Sequence, residues 1–107
     1  MERRGMWRQP KLDPRHRFEA AEALGLKALL FLVEDEQRLV RFLDLSGLDP
    51  ATLRARAGSP EMLAAVIGHL LADESLLLVF TAGAGIAPDE VTRAHALLDG
   101  PAGETSV

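Results

Sequence analysis

A chain of 107 residues, 48% of them hydrophobic, is one domain on ordinary length and can bury a core of its own. It contains no cysteine, which excludes disulfides, thiolate chemistry and cysteine–zinc sites and suits a cytoplasmic protein without demanding one. The formal charge of −4 conceals an asymmetry: residues 1–17 hold six basic and two acidic side chains, whereas residues 18–107 hold six basic and fourteen acidic ones, so a basic leader precedes an acidic domain.

The leader, Met1 to Arg17, contains Pro10 and Pro14 and little apolar periodicity, and is expected to be disordered. Arg3 and Arg4 are not followed by an apolar run, so no signal peptide is expected. Trp7 either docks on the domain, the simpler reading, or anchors a partner; Met6 is an alternative start.

A first helix is predicted from about Phe18 to Val33. Leu26, Leu29, Leu30 and Val33 form one stripe and Leu24, Ala28 and Phe31 an adjoining one, so this helix should be central. Gly25, costly inside a helix by about 1 kcal/mol relative to alanine, is read as a close helix contact. The second helix runs from about Asp35 to Ser46: Asp35 is a good N-cap, Glu36 suits the dipole, and Leu39, Phe42 and Leu43 share a face while Arg38, Arg41 and Asp44 can meet water. Gly47 should end it in the left-handed conformation. Asp49 and Pro50 then open a short third helix as N-cap and first residue, and Gly58 closes it.

Ser59-Pro60-Glu61 opens a fourth helix that buries Leu63, Val66, Ile67 and Leu70. The fifth, about Asp73 to Ala84, has almost no polar face after its first turn, and should be the most buried helix or face a partner with one side. Ala82-Gly83-Ala84 permits close backbone approach or marks a loose helix end. The sixth runs from about Pro88 to Leu98. Ala87 stands where an N-cap is wanted, with Asp89 and Glu90 to compensate, and Gly100-Pro101 should stop it, leaving residues 100–107 disordered. The uncharged apolar stretches Met62–Ala72 and Ser75–Pro88 fall short of the ~20 residues of a spanning helix, so membrane insertion is not expected.

Asp35-Glu36, Leu39, Phe42, Gly47-Leu48, Pro50 and Leu53 return 38 residues later as Asp73-Glu74, Leu77, Phe80, Gly85-Ile86, Pro88 and Val91. The expectation is an all-α bundle of about six helices made of two pseudo-repeated three-helix units. Asp35, Gly47, Pro50, Asp73, Gly85 and Pro88 are its structural caps. The competing explanation is that two similar turns need the same caps.

No catalytic set can be assembled from spacing. The paired carboxylates Asp35-Glu36 and Asp73-Glu74 are accounted for by capping rather than acid–base work. His69 and Asp73, at i and i+4, could share a metal, but no second such pair exists, and alignment of His69 with Phe31 in the repeat favours a buried or half-buried ring. Gly83-Ala84-Gly85 lacks the lysine and preceding strand of a phosphate loop.

The sharper functional alternative is DNA binding. Residues 42–57 read like a helix-turn-helix, with Leu48 and Leu53 inward, Thr52, Arg54 and Arg56 on a recognition helix, and Arg3, Arg4 and Arg8 adding phosphate contacts. Bulky Leu43 at the helix crossing, Arg56 in place of a third apolar contact, and the acidic balance of the domain oppose it.

Ala28-Leu29-Leu30-Phe31-Leu32, Asp35, Arg41-Phe42-Leu43, Ser46-Gly47-Leu48-Asp49-Pro50, Leu53-Arg54, Ser59-Pro60, Leu63-Ala64-Ala65-Val66, Leu70-Leu71-Ala72-Asp73-Glu74 and Leu76-Leu77-Leu78 together resemble the DUF3572 family, short bacterial proteins of unknown function. The resemblance covers roughly Phe18 to Leu98 and omits both tails. It implies a small cytoplasmic domain and brings no catalytic residues. The expectation is therefore a non-catalytic interaction or adaptor domain at 18–99, with no cofactor, a protein partner, and weak non-specific nucleic-acid binding from the leader at most.

Overall fold

Capping chemistry close at hand in the sequence sets most helix boundaries. The computed structural model describes residues 14–105, with side chains described for 15–99. Its helices are α1 (Pro14–Val33), α2 (Glu36–Ser46), α3 (Pro50–Ala55), α4 (Pro60–Leu71), α5 (Glu74–Ala84) and α6 (Pro88–Thr105), and no strand occurs among the described residues. The all-α bundle is thus as expected.

The Asp35 carboxylate accepts from the Gln37 and Arg38 amides at 2.9 and 3.3 Å, and that of Asp73 from Leu76 at 3.2 Å. Asp49 accepts from Thr52 at 2.8 Å, and the Ser59 hydroxyl oxygen from Met62 at 3.1 Å. Each satisfies an amide that the first helical turn leaves without a partner. Gly47 and Gly85 end α2 and α5 at φ 78° and 71°, and their amides donate to Leu43 and Thr81. Ala87 has no capping side chain; instead the Glu90 carboxylate reaches back to accept from the Ala87 amide at 2.8 Å. That is half of a capping box, a more specific compensation than the dipole alone.

Two boundaries differ from the sequence reading. The first helix starts at Pro14, four residues before Phe18, so residues 14–17 of the expected leader are helical. Proline at the first helical position needs no amide partner and already has helical φ. The last helix passes through Gly100-Pro101 to Thr105. Pro101 forfeits one backbone bond, to the Leu97 carbonyl, but keeps a helix-compatible φ. Trp7 and the leader arginines Arg3, Arg4 and Arg8 lie outside the described residues.

Helices α1, α4 and α6 pack pairwise as the centre of the bundle, with α2 against α1 and α5 against α4. The core is Ala21, Ala28 and Leu32 from α1, Met62, Leu63, Ala64, Val66, Ile67 and Leu70 from α4, and Val91, Ala94 and Leu98 from α6. Phe42, Leu53 and Phe80 contribute one large side chain each from α2, α3 and α5. Burial of a leucine or phenylalanine is worth roughly 1.5–3 kcal/mol, so each anchor is a large single contribution, to which the half-buried Leu39 and Leu43 of α2 and Leu76 and Leu77 of α5 add.

The central position of α1 is as expected, and Ala28 with the half-buried Leu24 and Phe31 packs on the core, but most of the first expected stripe does not. Ala21, Gly25, Ala28 and Leu32 face inward, and Leu26, Leu30 and Val33 are 49%, 58% and 48% exposed. Close approach decides between the two stripes: a Cβ on Gly25 would lie 2.9 Å from the Leu63 Cβ. The small-residue stripe admits α4, and the larger side chains turn outward. Nor is α5 the most buried helix. Only Phe80 and Thr81 of α5 are buried, with Leu78 and Val79 about half exposed, whereas α4 buries six residues.

The 38-residue recurrence holds locally. Helices α2 and α5 have matching lengths, caps and terminal glycines. The third helices break it: α3 has six residues and sits at the periphery, while α6 has eighteen and packs on both α1 and α4. Two equivalent three-helix units therefore do not describe the whole domain.

Candidate functional site

Three places carry exposed or unusual chemistry. The first is the open face where α1 meets α5. Phe31 and Phe80 pack at 5.3 Å between centroids with their rings 57° apart, which fixes one helix against the other. Arg38 closes the edge of this pair: its guanidinium carbon lies 3.9 Å from the Phe31 ring centroid, Nη1 donates to the Phe31 carbonyl at 3.0 Å, and Nε is 3.9 Å from the Asp35 carboxylate. Above the rings is an open groove of about 420 Å³ whose walls include Leu30, Val79, Gly83 and Ala84, with Lys27 and Glu34 along the α1 side. Leu26 and Val33 extend the same stripe of α1 beyond it.

The second place is His69, near the end of α4. Its ring meets Phe42 edge-on at 5.2 Å between centroids, and Nε2 is shut off from solvent with no hydrogen-bond partner. Burial holds the imidazole below its usual pKa, the nearby Arg41 adds to this, and Asp73 opposes it. Arg41, Asp73, Glu74 and Ser75 border the adjacent depression of about 320 Å³. The half-buried ring is as expected from its alignment with Phe31. Among the described residues no group of three or more histidine, aspartate, glutamate or cysteine side chains could hold a metal. A neutral imidazole with a buried, unpaired nitrogen acts as a packing group at the α2–α4 contact.

The third place is the helix-turn-helix-like segment. Leu53 is buried and Leu48 half-buried, so both point inward as that reading requires, and Arg54 and Arg56 are exposed. The geometry around them fits DNA poorly. Six residues give α3 a length of only about 9 Å. Arg56 is its C-cap residue rather than part of a helical face. Asp49 stands at its N-terminus, held ionised below the usual carboxylate range by hydrogen bonds from Thr52. The structural caps Asp35, Gly47, Pro50, Asp73, Gly85 and Pro88 all occupy helix ends, as expected, and form no common site.

The sequence reading missed the face that α1 and α5 build together, because it assigned Leu26, Leu30 and Val33 to the core. The available signal was the pairing of that stripe with the Ala21–Gly25–Ala28 stripe, in which the smaller residues mark the closer neighbour.

The match to a family model of proteins of unknown function, DUF3572, covers residues 18–101 and thus all of the packed core. The chain belongs to this family. Comparison with curated proteins and with solved structures gives no match. This DUF3572 domain has no single helix among its described residues that is long and apolar enough to cross a membrane.

Proposed function

We propose that this DUF3572 protein is a small interaction domain of the cytoplasm that works by presenting apolar helix faces rather than by catalysis or through a cofactor. The observation that supports this reading is the set of large hydrophobic side chains left about half exposed or more: Leu26, Leu30 and Val33 on α1, Val40 and Leu45 on α2, and Leu78 and Val79 on α5. Scattered exposed leucines need no explanation, but a stripe along one helix continuing onto a groove shared with a second is the pattern of a contact surface. The titratable groups support it from the other side, since the carboxylates of Asp35, Asp49 and Asp73 are occupied as caps and the imidazole of His69 is used in packing.

The test is affinity capture from the native cell with the full chain, a chain lacking residues 1–13, and the Leu30→Glu and Leu45→Glu variants. The proposal expects a specific partner to survive removal of the leader and to be lost with one of the two surface changes. A partner retained by both variants and lost with the leader would overturn it. DNA titrations at two salt concentrations discriminate the regulatory alternative. Weak binding that requires the leader and falls steeply with salt is expected, since each neutralised phosphate releases a counterion. Sequence-selective binding at physiological salt that disappears in Arg54→Ala would replace the proposal.

A further inference from the structure

We infer that the α1–α5 face is occupied by a second copy of this chain, with α1 of each protomer packed antiparallel about a two-fold axis beside Leu30. The inference rests on reading this face as an interaction surface and names its partner.

Two features of α1 have centres within about one residue of each other. Leu26, Leu30 and Val33 form the exposed apolar stripe, and Leu30, the most exposed of the three at 58%, lies near its middle. Lys27 and Glu34, seven residues apart and so on the same flank of the helix, both border the groove toward α5. The midpoint between them falls between residues 30 and 31. A perpendicular two-fold at that point brings Lys27 of each protomer opposite the partner's Glu34, twice over, while Leu30 meets the partner's Leu30 and Leu26 approaches the partner's Val33. Isologous contacts require this arrangement, with opposite charges equidistant from the axis on one surface. A parallel pair would instead carry the partner's Lys27 and Glu34 to the opposite side of the seam, where neither meets its opposite charge. The flanking surface accommodates the approach: Gly83 on α5 has no atom within 4 Å of where a Cβ would stand. Val79 supplies an apolar shoulder, 53% exposed.

The experiment uses the full chain. Sedimentation or light scattering across a wide concentration range should show mass rising from 11.6 kDa toward twice that value. Because the chain has no cysteine, Leu30→Cys reports the axis directly. It should cross-link under mild oxidation, while Leu45→Cys, on α2 and 66% exposed, should not. Lys27→Glu and Glu34→Lys should each weaken the dimer about tenfold by placing like charges across the axis, and the double exchange should restore it. Far-UV circular dichroism should stay unchanged in all variants, since the altered side chains are exposed or line the open groove. A monomer at every concentration, equal cross-linking at 30 and 45, or failure of the double exchange to restore association overturns the inference. A monomer that still loses a captured partner on Leu30→Glu overturns the dimer alone and leaves the interaction reading standing.

Discussion

Phe42 of α2 and His69 of α4 pack ring edge to ring face at 5.2 Å, and the residues 38 positions away from each, Phe80 and Phe31, pack at nearly the same separation, 5.3 Å, with tilted rings between α5 and α1. The two contacts solve the same problem with different rings. The phenylalanine pair is wholly apolar, whereas the histidine brings a nitrogen into a place without a hydrogen-bond partner.

Acidification should therefore weaken the fold through His69. Its pKa is lowered in the folded state, chiefly by burial, so the unfolded chain takes up the proton first. Stability is unaffected above the ordinary histidine value of 6.5, falls as pH drops through it, and stops falling once the folded form also protonates. His69→Phe should remove this component and add about 1 kcal/mol at neutral pH, because an unsatisfied buried nitrogen is replaced by the ring its counterpart position uses. Urea unfolding at pH 7.5 and 5.5 checks both. Equal pH dependence in the two proteins would show that the imidazole does not titrate differently on folding.

Gly25→Ala should destabilise, although alanine is the better helix former by about 1 kcal/mol. The added Cβ meets the Leu63 Cβ at 2.9 Å, and neither atom can rotate away, so overpacking of about 1–3 kcal/mol outweighs the propensity gain. Gly83→Ala, a helical position with open space, should instead leave stability unchanged or raise it slightly. Melting temperatures of the two variants moving in the same direction would contradict this account of the α1–α4 crossing.

Valine at Gly47 and at Gly85 should cost similar amounts, each more than about 1 kcal/mol, because both glycines have positive φ and neither has a neighbour for the side chain to strike. The penalty is purely conformational. Ala65→Val, at an exposed helical position, serves as the control, and chemical denaturation of the three variants gives the comparison. A cost at either glycine no larger than at Ala65 would remove the left-handed cap as its cause.

At the start of α6, Glu90→Ala should lower stability by about 0.5–1 kcal/mol by freeing the Ala87 amide, and Ala87→Ser should recover it by supplying the absent cap. A double-mutant cycle read by thermal unfolding measures the coupling. Unchanged stability in Glu90→Ala would mean that the Glu90 contact contributes nothing of its own.

The ends of α2, the start of α3 and the start of α4 were legible because a cap depends on two to four adjacent residues. The buried face of α1 was not. Hydrophobic periodicity offered the Leu26–Val33 and Leu24–Phe31 stripes, and the face of small residues beside the second was selected by the 2.9 Å approach of Leu63 to Gly25, a long-range fact. Of the two expectations for α5, the most buried helix or one turning a side to a partner, the first failed for a related reason: Leu78 and Val79 are apolar like core residues but are left about half exposed beside the Phe80 anchor. Pro14 did carry a signal for the start of α1, which was outweighed by the basic composition around it.

The peripheral helices α2, α3 and α5 each bury only one large side chain fully, with half-buried leucines beside it on α2 and α5, while α1, α4 and α6 hold one another along their lengths. Protection against amide hydrogen exchange should follow that division. Amides of the central three exchange only when the whole domain unfolds, and those of α3 exchange first, through openings that leave the rest intact. Half of the proposed contact face thus stands on the rigid helix α1 and half on α5, which can detach by itself, so pairing with a second surface would slow exchange in α5 far more than in α1.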